Sequence, residues 1–262
     1  MRVRAVDVTT YVFDRAHVAE QHRCLAAAYD PVTFGGLVRT GVGLGWRCLD
    51  VGAGGGSVAH WLAGRGATVL ATDVQPEHVP PAPLLTVLRH DVVCDPLPEA
   101  EFDLVHVRLV LRHLPEREAV LRKLVRALKP GGWLQVDEFD NSYSPVLLAP
   151  DRRAAELYET FLAVKESVFD AFGVDGGWGR KVAGAMVEAG LVDVDPRVVV
   201  HSWRAGSPGV RLLAHTTHML REKLIAAGMT DGQLAAVREV LADERFLATS
   251  PVVYSVHGRR AA

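Results

Sequence analysis

The run Asp50-Val51-Gly52-Ala53-Gly54-Gly55-Gly56-Ser57 has the residue types and spacing to hold a nucleotide-like ligand. Alternating glycines permit a tight turn from a strand into a helix and let a ligand approach the backbone closely. The free N–H groups that open the following helix favour a carboxylate or another anionic group. Asp73 closes the next apolar run, about 20 residues on, where a carboxylate can accept both hydroxyls of a ribose. That pairing fits a dinucleotide as well as any other adenosine ligand. The glycine spacing separates them. Gly52 and Gly54 suit G-x-G-x-x-G/A, but Ser57 stands in the third position and Gly56 falls one place early. Asp50 would repel a pyrophosphate and suits a cofactor carrying a cationic amino group.

A second set of polar residues follows the fourth and fifth apolar runs. Arg108, Arg112 and His113 follow the fourth, and Asp137 and Glu138 end the fifth. An arginine at position 112 cannot act as a base near neutral pH, whereas His113 is able to move a proton. Farther on, His215 and His218 are spaced i, i+3 and share one helix face, where they are able to meet a substrate hydroxyl. Without a third ligand such a pair does not make a metal site, and no metal is expected. Trp178, Trp203, Tyr143, Phe161, Phe169 and Phe172 are equally an aromatic acceptor pocket or ordinary core.

These residues need a scaffold, and the apolar pattern supplies one. Strands are expected at 46–51, 68–72, 86–89, 102–107 and 133–136. Helices are expected at 15–30 (ending before Pro31), 32–42, 58–63 and 116–128, and the prolines between 76 and 83 leave little room for another, so that crossover should be short or irregular. Strands alternating with helices imply a parallel sheet covered on both faces. Beyond Ser144 the rhythm changes to helices at 151–172, 180–189, 210–227 and 231–242, with strands at 192–202 and 252–256. The extra helices read as a lid over the carboxyl edge of the sheet, where open α/β folds bind ligands. The whole, 1–262, reads as one domain. It comprises an N-terminal helical cap (1–45), a cofactor-binding core (46–140), and late strands with helical lid segments (141–262).

A net charge of −2 over 262 residues offers no basic excess to neutralise phosphates, so neither nucleic acid nor an acidic membrane is an expected partner. Cys24, Cys48 and Cys94 lack metal-ligand spacing and read as small core residues in a reducing compartment. No signal-peptide pattern or long apolar run is present, so the expected location is the cytoplasm, and the expected partner is a small-molecule acceptor. A homodimer is compatible with the sequence.

With these motifs in order, the chain resembles class I S-adenosylmethionine-dependent methyltransferases. Asp50-x-Gly52-x-Gly54-x-Gly56 is similar to that family's first motif, and Asp73 with Val74 to its ribose-binding acid segment. His90-Asp91-Val92 resembles the adenine-contacting segment, which assigns Asp91 and Val92 to the cofactor. Phe102-Asp103-Leu104-Val105 with Val110-Leu111-x-His113-Leu114-Pro115 resembles the fourth-strand motif, and Leu128-Lys129-Pro130-Gly131-Gly132 the turn before the fifth strand. Tyr11 and Glu20-x-x-Arg23 are similar to an N-terminal region that closes over the methionine end in some relatives. Compared with plant-type O-methyltransferases, Arg108 falls where those enzymes place a cofactor-contacting lysine. Arg112 falls on their catalytic histidine, with His113 one place later.

The resemblance implies S-adenosyl-L-methionine as cofactor and a Rossmann-like, doubly wound α/β fold. Its sheet would have seven mostly parallel strands, the last antiparallel, with helical lid insertions. It also implies methyl transfer to a small or medium-sized, largely uncharged metabolite of secondary metabolism, with a hydroxyl acceptor favoured over an amine or carbon. His113 is the candidate catalytic residue, and Arg112, Glu138, His215 and His218 are the candidate substrate residues. Two alternatives stay open: an enzyme of the same fold that retains the cofactor and catalyses cyclisation, dehydration or rearrangement, and a non-catalytic cofactor-binding partner subunit.

Overall fold

The computed structural model of the chain describes residues 18–262; Tyr11 lies outside the described residues. A seven-stranded sheet has the order β3-β2-β1-β4-β5-β10-β7. Its strands are β1 (Arg47–Val51), β2 (Thr68–Asp73), β3 (Leu85–Arg89), β4 (Phe102–Arg108), β5 (Leu128–Asp140), β7 (Leu191–Val199) and β10 (Val252–Arg260). The first five pair in parallel, and β10 runs antiparallel to both β5 and β7. This is the expected Rossmann-like α/β sheet with its last strand reversed.

Helices α1 (Val18–Arg39) and α2 (Ser57–Gly64) cover one face, where Leu37, Val58 and Leu62 pack on Cys48, Val69 and Leu104. Helices α3 (Arg117–Ala127) and α5 (Val182–Glu188) cover the other, around Leu49, Val105 and Leu134. Central strands buried on both faces read as near-continuous apolar runs, which is why the pattern located them. A third core lies beyond the strand ends, formed by α4 (Arg152–Ala171), α6 (Pro208–Met219), α7 (Arg221–Ala226) and α8 (Asp231–Ala242), and it includes Tyr29 of α1.

Several boundaries differ from expectation. α1 runs straight through Pro31 instead of ending before it. Side chains on either side of the proline are tied to the sheet, Asp30 to Arg108 and Thr33 to Asp137, and these contacts hold the helix where local preference would break it. The expected helix at 210–227 divides into α6 and α7. The strand expected at 192–202 ends at Val199, and Ser202–Arg204 forms β8 of a separate antiparallel sheet, ordered β6-β9-β8 with β6 (Val146–Leu148) and β9 (Leu247–Thr249). Three-residue strands are too short to show a period. Between Phe102↔Leu128 and Leu104↔Trp133 the register shifts, so Lys129-Pro130-Gly131-Gly132 is a bulge within β5. A Cβ at Gly132 would lie 3.0 Å from the Phe102 carbonyl oxygen. Cys24 and Cys48 are buried, but Cys94 is exposed, because it sits in the turn after β3 instead of in the core.

Candidate functional site

The glycine loop joins β1 to α2. Gly52 and Gly56 both adopt positive φ, 66° and 78°, which L-residues resist. A Cβ on Gly52 would lie 2.2 Å from Val110 Cγ2, and one on Gly56 would lie 2.7 Å from Val79 Cγ1. The loop is therefore glycine because the chain after β4 and the chain after β2 both press on it. Asp73 lies across its mouth. One carboxylate oxygen accepts Gly54 N–H at 2.8 Å and the other accepts Gln75 N–H at 2.8 Å.

A residue that the sequence pattern did not single out covers the loop. The half-buried His22 of α1 stands 3.1 Å (Nε2) from the Cβ position of Gly54 and 2.9 Å (Cβ) from that of Gly55. Its ring meets His78 edge-on, with centroids 5.6 Å apart. Burial, with the nearby His78, lowers its pKa and favours the neutral ring. Arg23, by contrast, is 74% exposed and bonded to Glu20, so the structure does not bring it to the loop. A helix presents adjacent residues about 100° apart, which puts His22 inward and Arg23 outward.

Asp50 lies near the end of β1 and enters a buried polar cluster. Its side chain is buried beneath the loop, and one oxygen bonds His106 Nδ1 at 2.7 Å. The other nitrogen of His106, Nε2, bonds Asp137 at 3.3 Å, and Asp137 also accepts from Thr33 at 2.6 Å. Burial alone would push His106 down, but the hydrogen bonds its ring donates to Asp137 and Asp50 outweigh it and raise its pKa to about 9. A charged imidazolium thus bridges β1, β4 and β5; it engages Asp50 Oδ1, while Asp50 Oδ2 is buried without a hydrogen-bond partner.

Arg108 is likewise engaged within the protein. It donates to Asp30 at 2.8 Å, to Thr33 at 3.1 Å and to Ser57 at 3.2 Å. It joins α1 to the start of α2 and so fastens the cap helix beside the glycine loop. Val74, at the end of β2, is exposed, and its carbonyl accepts from Arg89. Asp91 accepts Val93 N–H at 2.9 Å in a local turn, and Val92 beside it is buried.

After β4 the chain turns sharply. Leu109 adopts φ 55°, a left-handed conformation that costs a non-glycine residue on the order of 1 kcal/mol. Val110 then rests on Gly52, and Leu111–His113 forms one 3₁₀ turn. Glu138 holds this turn by accepting Arg112 N–H at 3.2 Å. Burial raises the pKa of Glu138 to about 7 against the opposing pull of Arg112.

His113 shifts the other way. Burial, together with the guanidinium groups of Arg112 and Arg117, lowers its pKa to about 3, so it takes up a proton poorly. His218 is exposed on α6 and His215 is half-buried toward Glu20 of α1. Of the six aromatic residues, Phe161, Phe169 and Trp203 enter the lid core. Trp178 belongs to the sheet core, and Tyr143 and Phe172 are exposed. Among the described residues, no group of three or more His, Cys, Asp or Glu is placed to hold a metal, and no helix is long and apolar enough to cross a membrane.

Comparison with known proteins bears on residues 49–136, which match the family model described as a methyltransferase domain. Methyltransferase str2 of Strobilurus tenacellus is 39% identical over 98 residues, covering 36% of each chain. A ubiquinone biosynthesis O-methyltransferase of Paracidovorax citrulli is 33% identical over 115 residues, 40% of this chain and 48% of that one. The match spans about a third of the length of the first relative and about half of the second. Among solved structures, the [4+2]-cyclase SpnF superposes with a TM-score of 0.56 at 20% identity, over 89% of this chain and 82% of that one. The shared fold therefore extends well beyond the matched sequence segment.

Proposed function

We propose that this chain, which belongs to the class I S-adenosylmethionine-dependent methyltransferases through its methyltransferase domain at residues 49–136, methylates a hydroxyl of a small metabolite seated between the strand ends and the lid. The cofactor of the family is S-adenosylmethionine, and the residues here fit it. Gly52, Gly54 and Gly56 hold the positive-φ turn into α2 that brings backbone N–H groups toward an anionic ligand, and Asp73 at its mouth keeps acceptor capacity for ribose hydroxyls. When bound, the cofactor supplies a methyl group activated by a sulfonium.

The observation that carries the proposal is the pressed glycine loop with Asp73 bonded across it, joined by the turn at Leu109–His113 to a buried polar region. In that region Tyr29, Tyr158 and Glu138 each hold a buried side-chain oxygen without a partner. Buried polar atoms are normally satisfied, so several orphans together suit a polar ligand. The name of the O-methyltransferase relative agrees with an oxygen acceptor. The protein's own part is to hold the reactants in line and exclude water, which is mainly a proximity effect. In this reading α1, fastened through Arg108, carries Tyr29 and His22 to one side of the acceptor. His113 is not assigned as base, since its neutral form is so strongly favoured.

The test is a stoichiometric one. The purified chain is incubated with S-adenosylmethionine and a metabolite extract, and S-adenosylhomocysteine and methylated products are quantified by mass spectrometry. One S-adenosylhomocysteine per product supports the proposal. Product that accumulates with the cofactor unconsumed would favour a cofactor-retaining reaction, the activity named for the structural neighbour SpnF being a cyclisation.

A further inference from the structure

Arg112 is 4% exposed, yet among the described residues its guanidinium forms no ion pair and donates no side-chain hydrogen bond. No guanidinium nitrogen lies within ion-pair distance of Glu138, whose bonded oxygen is taken by the Arg112 backbone N–H. A buried guanidinium that makes no close ion pair is costly, and Glu138, on which its charge acts, meets it only from beyond ion-pair distance. The side chain lies on Phe139, its guanidinium carbon 5.7 Å from the ring centroid. Tyr29 packs on the same ring, with centroids 4.9 Å apart, and its hydroxyl is also buried without a partner. The turn that carries Arg112 begins on Val110, which touches Gly52 of the cofactor loop. One cation, on a turn that abuts the glycine loop, and one phenolic donor, on α1, thus share the Phe139 ring of β5.

We propose, resting on the methyl-transfer reading above, that Arg112 and Tyr29 together hold the ionised oxygen of a phenolic or enolic acceptor. The acceptor O–H gives its proton to water before the reaction, and the oxyanion that remains is the nucleophile. The new O–C bond forms from an oxygen electron pair as the carbon–sulfur bond breaks, its pair passing to sulfur. A neutral acceptor with an acidic hydroxyl meets this requirement without a protein base, and an arginine, which is no base near neutral pH, suits that role. A single guanidinium with one hydroxyl among aromatic faces suits a delocalised monoanion on a flat ring. A phosphate dianion would call for more donors.

The test uses 4-nitrophenol, whose ionised form absorbs visibly, with nitrobenzene and benzoate as comparison ligands, all with S-adenosylhomocysteine present. Charge-assisted hydrogen bonding is expected to lower the ionisation midpoint of bound 4-nitrophenol by about one pH unit and to favour it over nitrobenzene by about ten-fold. Arg112→Leu removes both effects, and Tyr29→Phe removes a smaller part of each. Should Arg112→Leu fail to fold, as judged by circular dichroism, Tyr29→Phe and Arg112→Lys carry the test. Three results overturn the inference: no binding of 4-nitrophenol at millimolar concentration, an unshifted midpoint in the unsubstituted protein, or a preference for benzoate. Failure to bind S-adenosylhomocysteine would instead refute the methyl-transfer reading, so the two failures are distinguishable.

Discussion

Replacing His106 with Asn leaves Asp50 and Asp137, each 2% exposed, facing each other through the sheet without a cation. Removing one partner of a buried ion pair costs about 3–5 kcal/mol, and here two carboxylates lose the same partner. The unsubstituted protein also makes a prediction of its own. The pKa of His106 is raised from 6.5 to about 9, so its stabilisation is fully present below the unfolded value and is lost as pH rises through the folded one. Each pH unit between the unfolded and folded values is worth about 1.4 kcal/mol, which makes the full contribution about 3 kcal/mol. Of this, about 2 kcal/mol disappears between about pH 7.5 and about 9.5.

Glu138 contributes with the same sign but over a lower window. Its pKa is raised from 4.5 to about 7, so its contribution is lost from pH 4.5 through about 7 and is largely complete before the measured range begins. Urea unfolding at about pH 7.5, 8.5 and 9.5, for the unsubstituted protein and for His106→Asn, separates the effects. The unsubstituted protein should lose stability across the range, and the variant should start lower and stay nearly level. A level profile in the unsubstituted protein, or a variant within about 1 kcal/mol of it at about pH 7.5, would show that the histidine is neutral and the triad is not an ionic bridge.

Three further outcomes follow from the site. Asp73→Ala should weaken S-adenosylhomocysteine by about 1–3 kcal/mol in calorimetry, through lost charge-assisted bonds; unchanged affinity removes Asp73 from the cofactor site. Gly52→Val places a β-branched side chain at φ 66° and against Val110, and should abolish cofactor binding while thermal unfolding still reports a folded chain. Arg108→Met removes the hydrogen bonds to Asp30, Thr33 and Ser57 at once, and should speed amide hydrogen exchange in α1 more than in the β-sheet, as read by mass spectrometry; equal protection would mean that the helix is held by its other contacts.

The sequence by itself determined the alternation of strand and helix, the glycine loop after β1 and the acid at the end of β2. These are local properties: apolar runs that fill a doubly covered sheet, and backbone positions that only glycine occupies cheaply. It also placed Arg112 beside the strand end and noted that it is no base. It did not show that α1 would pass through Pro31, because the contacts that hold it there come from Arg108 and Asp137, distant in the chain. Nor did it distinguish His22 from Arg23, which differ only in the side of α1 that meets the glycine loop. Asp50 is the clearest case. Its motif marks it as an acid before a nucleotide loop, but its partner is His106, separated by 56 residues and brought alongside only by the β1–β4 register. Side-chain charge is met by whatever neighbours the assembled strands supply, and that choice belongs to the tertiary structure.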